Sequence, residues 1–350
     1  MQPIAHLSSE LDQESGVVFD RFVAASPFSA YQQSRAWAEA VPRSKVQDYL
    51  FFRCLDGETL IGTAVVRRTR LLAGRWLATV QRGPVVHDPA LFATVLDSLI
   101  DAAAGQGCCT MQLAPRVRGR DLPTMAEALR GAGFAPLPTH RQPLHSVTGI
   151  VWLDKPEEEI LAGFKQRGRR QLKAAAKAGV TVRTANGAAD VAVYQRVLDA
   201  FRAAKSDYDM NGLPDAAGQA ALIERLGGAM LLAERDGIVI GGHVFVRQAD
   251  EAIWLSLATS GDDPSIPRSY PLLWEGMRMA RTMGCIGYDL AGLPVAETQD
   301  DGEANRSQFK NAFAPTRRVM PPVHIAALRP LAHTLLFTAR QIYRAARAAA

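Results

Sequence analysis

One arrangement of residues occurs twice in this chain, and it leaves few folds open. The stretch YLFFRCLDGETLIGTAVV, residues 49–66, is two apolar strands joined across Asp56-Gly57, a strong hairpin turn signal. MLLAERDGIVIGGHVFV, residues 230–246, does the same across Asp236-Gly237, and Ile61-Gly62 is echoed by Ile240-Gly241. Further strand residues follow each hairpin (WLATVQRGPVV; EAIWLSLATS), and then an amphipathic helix. Leu91, Val95, Ser98 and Leu99 mark the first helix; Leu272, Leu273, Gly276 and Met277 mark the second. Each helix leads into a short apolar strand, and these align without a gap: GCCTMQL from Gly107 and GCIGYDL from Gly284. The same order at a spacing of about 180 residues predicts two copies of one α/β domain. Three strands, a helix and a fourth strand imply a mixed sheet with a parallel crossover. Neither G-x-G-x-x-G after a first strand nor G-x-x-x-x-G-K-[ST] is present, so dinucleotide-binding and P-loop folds fall away.

Composition adds compartment and charge. In 350 residues, 48 % hydrophobic, two cores can be filled without staples. The four cysteines, Cys54, Cys108, Cys109 and Cys285, have neither C-x-x-C pairing nor a partnering His spacing, which predicts no metal site and a reducing compartment. The N-terminus lacks the basic and apolar regions of a signal peptide, and no window is long and apolar enough to span a bilayer. The expected location is cytoplasmic.

Forty basic and 35 acidic residues give a net charge of +5, yet FKQRGRRQLKAAAKAG, residues 164–179, alone carries six Lys or Arg and no acid. The basicity is therefore local, as at a binding site. A helix is expected to start at Pro156, with Glu157, Glu158 and Glu159 at the positive end of its dipole, and to continue through the basic run. Leu161, Phe164, Leu172, Ala175 and Ala176 share one side of it. Lys165, Arg169, Lys173 and Lys177 recur every four residues on an adjacent face, flanked by Arg167 and Arg170. Such a face suits a phosphate-rich ligand, or is simply solvated. LRPLAHTLLFTARQIYRAARAAA, residues 328–350, reads as a second amphipathic helix, which either docks on its own domain or lies on an anionic membrane surface.

Several stretches together resemble the FemABX family of peptidoglycan interpeptide-bridge peptidyltransferases. They are SPFSAYQQSRAWAEAV, QRGPVV, LRGAGF followed by RQPLHSVTGIVWLDKPEEEILAGFKQRGRRQLKAAAKAGVTV, YPLLWEGMRMARTMGCIGYDLAGL, and SQFKNAF. The resemblance covers residues from about 25 to 325 and rests on the ordered set rather than on any one motif. It implies an α/β (α+β) fold of two tandem GNAT-like, acyl-CoA N-acyltransferase-like domains with mixed sheets. The expected divisions are 1–147, 148–326 beginning with the basic helix, and a C-terminal amphipathic helix over 327–350. It also implies a reaction in which an aminoacyl-tRNA donates its amino acid to an amine of lipid II or its UDP-linked muropeptide precursor, with no cofactor.

Aminoacyl transfer needs a neutral amine, stabilisation of an oxyanion and placement of two polyanionic substrates, but no nucleophilic Ser or Cys. The family's matching Lys lies near the reacting centre, and Lys310 in QFKNAF carries over to it, between Phe309 and Phe313. Asp289, at a strand end, either orients or deprotonates the amine or caps a turn. His243 within IGGHVFV is a base or a packing residue. Trp254 and Tyr270 line an acceptor channel or the core, and Arg268 precedes a helix start that could hold phosphate. Lys165, Arg167, Arg169, Arg170 and Lys173 would meet phosphate. Two departures concern the acceptor. Val41 stands where the family has a Lys, with Arg43 and Lys45 nearby, and only Lys205 and Tyr208 approximate the Arg and Tyr residues expected after the basic helix. Two other readings stay open: an acyl-CoA-dependent N-acyltransferase acting on a polysaccharide or cell-envelope intermediate, and a non-catalytic RNA- or membrane-binding protein. The Gly-rich pyrophosphate loop of CoA users is missing from both RSYPLLWEGM and PALFATVLDS.

Overall fold

The computed structural model describes residues 3–117, 119–138, 144–204, 212–260, 263, 265–294 and 301–334, with the backbone alone for 301–305. It has the expected fold class: mixed α/β, with two mixed sheets. The chain divides into two compact units, one built from residues before 39, from 43–144 and from 320 onward, the other from 39–42 and 145–319. The strands of the first are β1 (Ile4–Ser8), β2 (Gln47–Asp56), β3 (Thr59–Arg70), β4 (Trp76–Arg82), β5 (Val85–Val86), β6 (Cys108–Pro115) and β7 (Ala135–Pro136). The second contributes β8 (Val147–Trp152), β9 (Thr181–Thr184), β10 (Gly228–Arg235), β11 (Ile238–Gln248), β12 (Glu251–Thr259), β13 (Gly287–Gly292) and β14 (Thr316–Val319). A last strand, β15 (His324–Ala327), joins the first unit's sheet between β6 and β7. The sheet orders are β1-β2-β3-β4-β6-β15-β7, with β5 on β3, and β14-β8-β13-β12-β11-β10-β9. The helices are α1 (Gln13–Ala25), α2 (Arg35–Ala40), α3 (Phe92–Gly105), α4 (Leu122–Gly131), α5 (Glu157–Gly163), α6 (Gln166–Lys177), α7 (Gly187–Ala204), α8 (Ala216–Leu226), α9 (Ser269–Thr282) and α10 (Asp301–Asn311).

The repeated sequence has a structural cause. In both hairpins an isoleucine is the extra residue of a β-bulge: Ile61 between Cys54↔Gly62 and Leu55↔Leu60, Ile240 between Ala233↔Gly241 and Glu234↔Val239. The glycine after each bulge lies under the helix that follows. A Cβ on Gly62 would come within 2.5 Å of Val95 on α3, and one on Gly241 within 3.3 Å of Leu272 on α9. Each helix buries its apolar stripe on the sheet, Val95, Leu96 and Leu99 in one core and Leu272, Leu273 and Met277 in the other. Each then returns the chain into a strand parallel to the one before it, β6 beside β4 and β13 beside β12.

The parallel pairs then differ. β4 and β6 stay in register from Leu77↔Thr110 to Arg82↔Pro115. β12 and β13 share only Glu251↔Gly287, Ala252↔Tyr288 and Ile253↔Asp289. Just beyond, Leu255 is an extra residue in β12 against β11, and β13 takes one more residue than β8 between Asp289 and Gly292, with Ala291 at φ 59°. Bulges bend and twist the strands that carry them, so two at this level turn β12 and β13 apart.

The single helix expected from Pro156 through the basic run is two helices. Phe164 (ψ 147°) and Lys165 (ψ 158°) are extended between α5 and α6. The break lets Phe164 enter the core edge-on to Trp274 and Phe313. Burying a phenylalanine is worth about 2–3 kcal/mol, more than the roughly 1 kcal/mol of an interrupted helical hydrogen bond. Lys165 N–H is not orphaned, because it donates to the Ala312 carbonyl (3.0 Å). Of the apolar side, Ala175 is buried and Leu172 half-buried, while Ala176 faces solvent. Of the expected C-terminal helix, residues 330–334 are helical; those from 335 lie outside the described residues.

In the first unit, Gln33 of the stretch SPFSAYQQSRAWAEAV is fully buried. β3 and β4 pair only over Arg67–Arg70 and Trp76–Thr79. Where they part, the Gln33 amide bridges them, accepting from Val65 N–H (2.8 Å) and donating to Gln81 O (2.7 Å). Replacing Gln33 by Leu strands the buried Val65 N–H and the half-buried Gln81 carbonyl, at about 1–3 kcal/mol each. The expected result is a loss of roughly 3 kcal/mol in denaturant unfolding and faster amide exchange at Val65; an unchanged exchange rate there contradicts this role.

Candidate functional site

The divergence of β12 and β13 leaves main-chain groups of β13 without a strand partner, and a side chain supplies one. Lys310, in the last turn of α10, donates from Nζ to the Gly292 carbonyl (2.7 Å). The same ammonium lies over the Trp254 indole, 4.8 Å from the ring centroid. Trp254 follows the last shared residue of β12, so Lys310 bridges the two strands where their ladder ends.

Asp289 holds β13 in its bulged form. Its Oδ1 accepts from Ala291 N–H (2.7 Å) and from the Thr148 hydroxyl of β8. Its charge also acts on Lys310. Burial pushes the Lys310 ammonium down to about 8, Asp289 opposes that shift and Arg306 adds to it. At neutral pH the group is mostly an ammonium, able to donate to a developing oxyanion.

Around this pair stands an aromatic wall. Phe309 meets Trp254 edge-on (6.2 Å) and Tyr270 edge-on (4.8 Å), and Tyr270 stacks on Phe313 (5.7 Å). The Tyr270 hydroxyl accepts from Arg167 Nε (3.2 Å), which ties α6 to the start of α9. Lys310, Asp289, Trp254, Phe309, Tyr270 and Arg167 therefore form one connected set. Lys165, just before α6, and Arg170, Lys173 and Lys177 on it are exposed, while Arg169 turns back to the carbonyls of Ala162 (2.9 Å) and Phe164, covering the end of α5. Gly168 lets α6 lie against the segment after Lys310, since a Cβ there would stand 2.6 Å from Ala312 O. Buried Arg268 donates to Ser260 Oγ (2.8 Å) and Asp263 O and so braces the loop before α9. Lys205 and Tyr208 lie outside the described residues.

His243 is fully buried. Nδ1 lies 2.8 Å from Ser256 O, and Nε2 bonds the Tyr288 hydroxyl. Burial pushes the imidazole down to about 4, so it is neutral, with Nδ1–H donating and Nε2 accepting. Sequence reasoning missed the Gly292 carbonyl, Thr148 and Tyr288. It also missed His145, whose ring covers Gly292 so closely that a Cβ would stand 2.0 Å from it. All four lie in stretches that carry the family resemblance, but nothing in those stretches marks them singly: Thr148, Gly292 and His145 meet at the bulge in β13, and Tyr288 precedes it. Among the described residues no three His, Cys, Asp or Glu side chains converge on a metal-sized point, and no helix is long and apolar enough to cross a membrane.

No family model and no curated protein matches the sequence. Solved structures do. FemX superposes with a TM-score of 0.77 at 16 % identity, over 92 % of this chain and 98 % of that one. A tandem GNAT protein from the clavulanic acid biosynthesis pathway gives 0.56 at 11 % identity, over 93 % and 99 %. The C-terminal domain of a putative lysylphosphatidylglycerol synthetase from Agrobacterium fabrum gives 0.52 at 18 %, over 76 % and 81 %. The fold is thus a FemABX-like tandem GNAT fold, as the sequence resemblance implied.

Because burial lowers the Lys310 ammonium from 10.5 to about 8, the folded state binds fewer protons than the unfolded one between those values. Lys310 therefore penalises the fold fully below pH 8, and the penalty fades as pH rises towards 10.5. Lys310→Met is expected to unfold later than the wild type at pH 7, by up to about 3 kcal/mol, with the gap closing by pH 10.5. Equal stability at pH 7 would argue against a desolvated ammonium.

Proposed function

We propose that the protein is an aminoacyltransferase that moves an amino acid from aminoacyl-tRNA to an amine of a peptidoglycan precursor, lipid II or its UDP-linked form. The observation that carries this reading is the Lys310 ammonium, held in the opening between β12 and β13 by Gly292 O and Trp254. The donor is already an activated ester. The acceptor nitrogen attacks its carbonyl carbon, the C–N bond forms, the C–O bond to the ribose breaks, and the amine proton ends on the departing ribose oxygen. The chemistry asks for a fixed positive donor at the oxyanion or leaving oxygen, which is the role assigned to Lys310. Asp289 acts chiefly by holding the bulge that presents the Gly292 carbonyl. Lys165, Arg167, Arg170 and Lys173 are assigned to phosphates of the tRNA or of the precursor's pyrophosphate. Likeness in fold to FemX supports the same reading, and such substrates place the reaction on the cytoplasmic side of the membrane.

An acyl-CoA donor is the weaker reading, since Lys310 occupies the strand opening and the Gly-rich pyrophosphate loop is missing. A non-catalytic RNA- or membrane-binding role would leave the half-buried ammonium against Gly292 O unexplained.

The test is intact-mass analysis of lipid II or its UDP-linked precursor, incubated with the protein and either a mixed charged-tRNA pool or acetyl-CoA. A gain of one amino-acid residue, abolished by RNase and by Lys310→Met, is expected. An acetyl gain, or binding without product, would overturn the proposal. Removing three charges at and just before α6 together (Lys165→Gln, Arg170→Gln, Lys173→Gln) should flatten the log–log salt dependence of tRNA binding by roughly 2–3 units. An unchanged slope would exclude this face from phosphate binding.

A further inference from the structure

An ammonium taken out of water needs more than one partner to stay in place, and its surroundings decide how much of the time it is charged. Among the described residues Lys310 has one neutral acceptor, Gly292 O, and lies over one aromatic face, Trp254. The indole is itself unusually well held. Trp254 pairs with Phe245 at the very bulge of β12, where Leu255 is the extra residue, so the bulge fixes the direction of its side chain. His243 meets the ring edge-on (5.8 Å, 90°) and Phe309 does so too (6.2 Å, 90°). His243 is in turn fixed by Ser256 O and the Tyr288 hydroxyl, and Gly276 leaves room for that hydroxyl, since a Cβ would stand 2.8 Å from it.

We infer that Trp254 is a positioning residue for Lys310: its ring face holds the ammonium against the Gly292 carbonyl and keeps it charged, and the buried His243–Tyr288 pair holds the ring. The inference rests on the aminoacyl-transfer reading for its consequence in catalysis, but not for its physical content. The ring quadrupole favours the ammonium over the neutral amine and so counters desolvation. The other titratable groups around Lys310 are Asp289 on β13 and Arg306 on α10, with His145 against Gly292 and neutral His243 behind the indole. A neutral His243 is what the arrangement requires, since an imidazolium there would compete for the indole and repel the ammonium.

The experiment reads Lys310 directly. Trace acetylation followed by peptide mass spectrometry gives the pH midpoint of Lys310 reactivity in the wild type, Trp254→Phe and Trp254→Leu, each checked for an unchanged thermal transition of the second unit. Leucine keeps the site apolar but removes the ring face; phenylalanine keeps a face. Trp254→Leu is expected to lower the midpoint by about half a unit or more, a threefold or greater rise in reactivity below it, while Trp254→Phe stays close to the wild type. In the transfer assay the alkaline limb of kcat should move by the same amount, with KM for charged tRNA within about twofold. An unmoved midpoint in Trp254→Leu, or equal shifts in both variants, would overturn the inference. Should the wild type transfer nothing while the midpoints shift as expected, the functional reading fails and the positioning role stands.

Discussion

The hydrogen bond from Lys310 to the Gly292 carbonyl depends on a sheet that has been opened. In a closed parallel pair that carbonyl would face a backbone N–H of the neighbouring strand, leaving no place for an ammonium. The second unit meets this condition with two bulges at one level, Leu255 in β12 and the Asp289–Gly292 step in β13. Asp289 and Thr148 stabilise the second of these, and Ala291 adopts a left-handed conformation there, which a non-glycine residue does at some strain. Asp289, which the sequence leaves open between a group acting on the amine and a turn cap, holds in the fold the bulge that shapes the opening.

The two units show what the opening requires by differing in it. Both are built on the same plan of bulged hairpin, third strand, crossover helix and parallel strand. In the first unit β4 and β6 remain paired to Pro115, and divergence falls one strand earlier, between β3 and β4, where the buried Gln33 amide closes it. A neutral amide seals such a gap without charge. In the second unit a cation occupies the gap at the expense of desolvation, and an aromatic face and a nearby carboxylate offset part of that penalty.

What the sequence made legible were features with local causes. The Asp-Gly turns, the echoed Ile-Gly pairs and the helix stripes each follow from backbone geometry within a few residues, and together they specified the tandem architecture. Lys310, Tyr270 and Phe309 could also be singled out, as a charged residue and aromatics in the segments that resemble a family, and Trp254 as an aromatic in a strand outside them. The break at Phe164–Lys165 was not, because helical periodicity places Phe164 on the apolar side either way, and only the position of Trp274 and Phe313 makes the break favourable. Arg169 reads as one of a row of cations, yet that break gives it carbonyls to cover. Gly292, Thr148 and His145 sit in family-like stretches, yet nothing there singles them out, since their roles arise from a one-residue offset between β13 and β8.

On the proposed function, the opening beside Lys310 receives the aminoacyl end of the donor. The most direct measurement is photocrosslinking of an acceptor-stem RNA carrying a photoreactive amino acid through a stable 3′-amide, with the adducts mapped by peptide mass spectrometry. Adducts are expected in residues 289–293 and 306–313 and on Trp254, lost when unlabelled charged tRNA competes. Competable adducts confined to other segments, or none above those formed with RNA lacking the amino acid, would contradict it.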